Sequence, residues 1–118
     1  MTVSTAVELD WGGAKRKFAL PNGQAFDLEK EAGVGIVVLN ARLRAGAWTL
    51  ADLRNILRRS LMGGGATAPE ADKLLAEYFD DERIPRAEHV RPCLLITGAW
   101  LYGVEAAAEG NVDGEVTP

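Results

Sequence analysis

Two capped amphipathic segments separated by three glycines constrain this chain more than any other feature. Ala71, Leu74, Leu75, Tyr78 and Phe79 recur at i, i+3, i+4, i+7 and i+8, the spacing of one buried helix face. Upstream, Leu50, Leu53, Leu57 and Leu61 step by three and four with Ile56 alongside, while Arg54, Arg58 and Arg59 take the wetter positions. Each segment opens on capping-box spacing: Thr49-Leu50-Ala51-Asp52, and Thr67-Ala68-Pro69-Glu70 with proline in its first turn. Gly63-Gly64-Gly65 stops the first helix and reads as a flexible connection to the second. Helices of this kind are stable only when their apolar faces pack. The spacing predicts helices over about 50–62 and 68–81. Asp80-Asp81-Glu82 places acids at the second helix's C-terminus, where the dipole disfavours them, and predicts fraying.

The N-terminal part has a different period. Val7-Glu8-Leu9-Asp10-Trp11 alternates, Gly12-Gly13 favours a turn with positive φ, and Lys15 to Leu20 alternates more weakly. This predicts a β-hairpin over 7–20 with Val7, Leu9, Trp11, Phe18 and Leu20 facing inward. Pro21-Asn22-Gly23 ends it as a turn. From Gln24 the period becomes helical. Phe26, Leu28 and Ala32 mark a helix over about 24–33, stopped by Gly33 and Gly35. Ile36 to about Ala45, closed by Gly46, reads as another helix, although its Ile-Val-Val run also suits a short strand. Pro85 or Pro92 starts a last helix, whose body runs over about 92–108 to a stop at Gly110. The expected fold class is therefore α+β, mainly α: an N-terminal hairpin packed on four or five short helices. It forms a single domain over 7–109, between a flexible N-terminus (1–6) and a disordered acidic tail (110–118).

Composition narrows the function. With 118 residues, 47% hydrophobic and 25% charged, the chain suits one folded domain. Its 13 basic and 17 acidic residues give a net charge of -4, an unfavourable balance for a nucleic-acid binder, which draws affinity from phosphate neutralisation. One cysteine excludes an intrachain disulfide and fits a reducing cytoplasm. The first residues lack a signal-peptide pattern, and the apolar run around Pro92 to Val104 is too short to span a bilayer.

Catalytic constellations are nearly absent. His89 is the single histidine, so no His-pair metal site is available. It reads either as a general base or, the expected case, as a partly exposed polar residue in a helix's first turn. Cys93 near Arg91 reads either as a reactive thiol or, as expected, a small buried hydrophobe. Gly63-Gly64-Gly65 lacks the Gly-Lys-Ser/Thr ending of a phosphate loop. The arginines at 42, 44, 54, 58 and 59, with Lys15-Arg16-Lys17, read as a solvated face balanced by Glu70, Asp72, Glu77 and Asp80. No cofactor, metal or catalytic residue is expected.

The last helix stands apart because it is apolar almost all round. Either it is central to the core or one of its faces meets a partner. Leu94, Leu95, Ile96, Trp100, Leu101 and Tyr102 are the candidate partner-binding residues, since large aromatics are common anchors as well as common core residues.

Several stretches carry a family resemblance. They are Phe26-Asp27-Leu28-Glu29 with Gly33 and Gly35, then Leu43-Arg44-Ala45-Gly46, then Thr49-Leu50-Ala51-Asp52-Leu53 running to Gly63-Gly64-Gly65. In this order the chain resembles, over roughly residues 7 to 108, the gene transfer agent tail tube family of phage-type proteins, which is also grouped with tail assembly chaperones. The resemblance implies no catalytic residues. It implies a protein that binds the tape-measure protein, the tail tube subunit, or both, in the bacterial cytoplasm. A structural tube component in the tail of a phage-like particle is the alternative, and a small DNA-binding or regulatory protein is a third reading. A homo-oligomer is compatible with each, and no membrane role is expected.

Overall fold

The structure, a computed structural model, describes residues 4–104. Two antiparallel strands, β1 (Val7–Trp11) and β2 (Ala14–Phe18), are followed by α1 (Asn22–Ala32), α2 (Ile36–Ala45), α3 (Leu50–Gly63), α4 (Ala68–Leu74) and α5 (Val90–Tyr102). The class is α+β, mainly α, as expected. The Ile36 run is helical, which resolves the choice between strand and helix.

The hairpin register pairs Val7 with Phe18 and Trp11 with Ala14, leaving the two-residue loop Gly12-Gly13 at φ 63° and 77°. Two consecutive positive φ values define the turn whose twist matches the strands, and only glycine adopts them without strain. The ring of Tyr78 lies so close to Gly12 that an added Cβ would stand 2.8 Å from its Cδ2. Val7, Trp11, Phe18 and Leu20 are buried as predicted, and Leu9 is half-buried.

Helix α1 begins at Asn22, not near Gln24. Pro21, extended at φ -60° and ψ 161°, presents its carbonyl to the Ala25 N–H at 2.9 Å. The turn read at Pro21-Asn22-Gly23 is thus the helix's own first turn, because a type I turn and a helical turn share dihedral angles. Phe26, used to mark this helix, is 71% exposed, and Ala25 and Leu28 form the buried face instead. Gly35 at the start of α2 has no side chain to cap with. Glu29 replaces it from α1, its Oε2 accepting the Ile36 N–H at 2.7 Å.

Both predicted capping boxes are formed, Thr49 with Asp52 and Thr67 with Glu70. In α3, Leu53, Ile56, Leu57 and Leu61 are buried, while Leu50 is left exposed. The glycines that follow are more than a flexible connection. Gly63 closes α3, and a Cβ on Gly63 or Gly64 would collide with the carbonyls of Ala19 and Lys17 respectively. The end of α3 therefore lies directly against the outgoing end of β2, where the Ala19 N–H also donates to the Ser60 carbonyl at 3.0 Å.

The predicted helix 68–81 is α-helical only to Leu74 and continues as a π turn over Leu75–Phe79. Arg54 pairs with Asp80 just beyond it, and Arg86 donates to the carbonyls of Phe79, Asp81 and Ile84. These cations offset the acids that the dipole disfavours. Both candidate prolines are used. Pro85 precedes a 3-10 turn over Arg86–His89, and Pro92 sits inside the first turn of α5, where no intrahelical donor is needed. Helix α5 begins at Val90, two residues ahead of the expected start, and runs to Tyr102, where Gly103 at φ 93° interrupts it; the expected end at 108 lies outside the described residues. Residues 105–108 and the predicted acidic tail lie outside the described residues. The Val104 N–H donates to the Ser4 carbonyl at 2.8 Å, tying the chain ahead of β1 to the end of α5.

The core is organised around α3 and α5. Helix α1 packs on α3, α2 on α5, α3 on α5 and β2, and α5 on β1. Asn40, Thr97 and Ser60 are buried polar residues within it. Asn40 Nδ2 donates to Thr97 Oγ1 at 2.9 Å, Thr97 Oγ1 donates to the Cys93 carbonyl, and Ser60 Oγ donates to the Ile56 carbonyl. Each is satisfied locally, as buried polar groups require.

Candidate interaction surfaces

His89 is the one residue whose surroundings differ most from the sequence reading. It is buried, not partly exposed, because the 3-10 turn rotates it into a cluster of aromatic rings. Trp11 reaches it from the hairpin with its Nε1–H donating to His89 Nδ1 at 3.1 Å, and the Phe79 ring lies tilted against it, 4.8 Å away centroid to centroid. Trp11 also meets Phe18 and Tyr78 edge-on. An indole N–H can only donate, so Nδ1 must be the unprotonated nitrogen and the ring proton sits on Nε2. That Nε2–H is buried with no partner among the described residues. Burial, reinforced by the Arg86 charge, lowers the pKa of His89 and keeps it neutral. The imidazole therefore serves as a structural acceptor joining two elements 78 positions apart.

Cys93 lies where α5 crosses α3, its Sγ donating weakly to the Leu53 carbonyl at 3.6 Å. Burial, with the charge of Asp52 nearby, pushes its thiol pKa far up, so the thiolate needed for reactivity is suppressed. This matches the expected small buried hydrophobe.

Four arginines of this face are paired with acids, while Arg44 donates to Asn40 and Arg16 to the carbonyls of Trp11 and Gly12. Arg54 meets Asp80, Arg58 meets Asp72, Arg59 meets both Glu31 and Asp27, and Arg42 meets Asp52. Asp72 and Asp80 are among the acids expected to balance it, whereas Asp27, Glu31 and Asp52 come from other parts of the chain. Hydrogen bonds from Arg58 and Arg59 hold the carboxyls of Asp72 and Glu31 below their ordinary pKa values. Cations already neutralised by carboxylates have little charge left for phosphate.

Helix α5 distributes the six nominated residues over different environments. Ile96 is packed into the core. Leu94, Leu95, Trp100 and Leu101 are half-buried against it, and Tyr102 is 54% exposed. Leu95 lines an open groove of about 570 Å³ between β1 and the start of α5, together with Leu9, Pro85 and Pro92. Asp10, Glu88 and Arg91 stand along the same groove. Other large apolar side chains are exposed elsewhere: Phe26 on α1, Val37 and Val38 on α2, and Leu50 at the start of α3. Sequence periodicity does not point to the groove, because it forms only where a strand and a helix distant in sequence lie side by side.

The helical order, the glycine stops and the hairpin agree with one comparison. A family model described as "Phage tail tube protein, GTA-gp10" matches residues 4–103, nearly all of the described chain. The chain belongs to this phage tail family. No curated protein and no solved structure matches it. The family is one of phage tail proteins and not of enzymes, and membership implies contact with other tail proteins. No described helix is long and apolar enough to cross a membrane.

Proposed function

We propose that this protein is a tail assembly chaperone of a gene transfer agent or prophage. It binds the tape-measure protein, the tail tube subunit, or both, in the bacterial cytoplasm and limits their premature assembly. The observation that carries this reading is the sheet. Among the described residues it consists of two five-residue strands. A tube wall requires long strands continued around a closed ring, because an open sheet edge is otherwise left unsatisfied. A small helical domain with half-buried and exposed apolar side chains suits transient binding better. Leu94, Leu95, Trp100, Leu101 and Tyr102 are the contact residues we assign to α5, whereas Ile96 supports them from the core.

The second reading, a structural tube component, is favoured by the family's own description as a tail tube protein. One experiment separates the two. The protein is used to capture the products of its neighbouring genes while purified particles are blotted for it. Capture of a tail protein with absence from particles supports the chaperone. Presence in particles at ring stoichiometry overturns it.

A further inference from the structure

The hairpin is fastened to the helices at two places by different contacts. At its base, Phe18 is fully buried, the Ala19 N–H donates to the Ser60 carbonyl at 3.0 Å, and Gly64 lies against the Lys17 carbonyl. At its turn end, Trp11 meets the rings of Tyr78 and His89, and Gly12 lies under Tyr78. Among the described residues one hydrogen bond crosses that second contact, from Trp11 Nε1–H to His89 Nδ1. An indole N–H can only donate, so the bond exists only while Nδ1 keeps its lone pair. A proton on Nδ1 sets two N–H groups against each other at 3.1 Å. The other ring nitrogen adds a second tension, because Nε2–H is buried and has no partner among the described residues. The closed contact therefore holds an unmet donor that opening would give to water.

Each element around the ring contributes to its balance. Arg86 and Glu88 flank it on its own 3-10 turn, and Arg86 is held there by the carbonyls of Phe79, Asp81 and Ile84. Asp10 from β1, Tyr78 from the π turn, Glu88 and the uncharged Pro92 of α5 line a pocket of about 280 Å³ together with His89. Arg16 of β2 is held by the Trp11 and Gly12 carbonyls and lies over the Tyr78 ring. We propose that His89 and Trp11 form an acid-released latch: a proton on Nδ1 parts the hairpin's turn end from the 84–92 stretch while its base stays on α3. The proton comes from solvent, and no covalent bond changes. Burial and the Arg86 charge lower the His89 pKa and Glu88 opposes them, so the latch is closed above the ordinary imidazole value near 6.5 and opens below it. Opening widens the pocket and bares Trp11, which is buried in the closed state. The latch goes beyond the tail-assembly reading and does not depend on it.

The test compares two N–H groups of the full chain by NMR at about pH 7 and pH 5, with exchange corrected for its intrinsic pH dependence. The Trp11 indole N–H is expected to lose protection about tenfold, as linkage to a proton site near 6.5 in the open state allows. The Ala19 amide, at the base, keeps its protection. The ring nitrogens of His89 should show Nε2–H alone at the higher pH and gain the Nδ1 proton in step with the loss at Trp11. His89→Gln offers an acceptor oxygen that does not titrate, and in it the indole stays protected at both pH values. An indole that stays protected at low pH in the wild type overturns the proposal. Parallel loss at Trp11 and Ala19 overturns it as well, since the whole domain is then unfolding. A response that persists in folded His89→Gln assigns the release to another group. Should that variant not fold, an indole released while Nδ1 stays unprotonated in the wild type overturns the proposal in its place.

Discussion

The leucine-lined centre and the aromatic cluster under the hairpin hold the same fold together by different means. At the centre, Leu53, Ile56, Leu57 and Leu61 of α3 meet Leu28, Cys93 and Ile96, all apolar and all buried within one continuous core. Their stabilisation comes from area removed from water, which has no direction and tolerates repacking among similar shapes. In the cluster, Trp11 meets Tyr78 and His89 edge-on, Phe79 lies tilted against His89, and one N–H···N hydrogen bond sets the orientation. That arrangement fixes the hairpin on the 79–89 segment but leaves His89 Nε2 buried without a partner. The lesson is that apolar periodicity builds the bulk of this fold, while directional contacts between distant residues determine where the hairpin sits.

Substitutions separate the two regimes, beginning with the largest effect. Leu57→Ala should destabilise the protein by about 3 kcal/mol in urea unfolding, through lost transfer energy and the cavity left behind. A loss below about 1 kcal/mol would mean that the centre collapses to fill the space and is not close-packed. Gly64→Ala forces a methyl into the Lys17 carbonyl and should destabilise by about 2 kcal/mol, as overpacking does. Wild-type stability in that variant would show that α3 and β2 separate easily and that the β2 edge is not blocked. Trp11→Phe keeps most of the ring but removes the donor, leaving His89 Nδ1 unpaired, and should cost about 1.5 kcal/mol.

The same cluster predicts a pH effect that the centre does not share. The pKa of His89 is lowered on folding, so the unfolded chain binds its proton more tightly than the native one. Stability from this group is complete above the unfolded value near 6.5 and is lost as pH falls from there towards the native value. Unfolding measured between pH 7 and 5 should therefore show a slope that His89→Gln flattens. An unchanged slope in the variant would assign the acid sensitivity to other groups. The smallest effect belongs to the surface. A double-mutant cycle on Arg59 and Glu31 should return about 0.5 kcal/mol at low salt and less at high salt, since these partly exposed side chains are screened.

Much of this architecture was legible in one dimension. The hairpin, both capping boxes, the stripe from Ala71 to Phe79 and the buried thiol follow from patterns confined to short stretches of the chain. The misreadings share a cause. Asn22 and Gly23 read as a turn in the sequence because their dihedral preferences do not distinguish a turn from a first helical turn. His89 reads as partly exposed in the sequence because its Trp11 partner is 78 positions away. Gly63 and Gly64 read as a stop, while their closer constraint comes from the carbonyls of Lys17 and Ala19. The candidate surface is legible in part: Leu95 stands out on α5 by its sequence, but Leu9, Asp10 and Glu88 become its neighbours only when β1 lies beside that helix.

What the sequence by itself determined is the set of local choices: which segments are helical, where caps and glycines end them, and which faces are apolar. These depend on interactions between residues three or four apart, or two apart in strands, and those spacings are written in the chain. Only the tertiary structure decided that the end of α3 closes against β2, that Arg42, Arg54, Arg58 and Arg59 pair with carboxylates, and that the histidine is a buried acceptor. Those outcomes depend on which distant elements pack together, and pairings over such separations leave no periodic signal in the sequence.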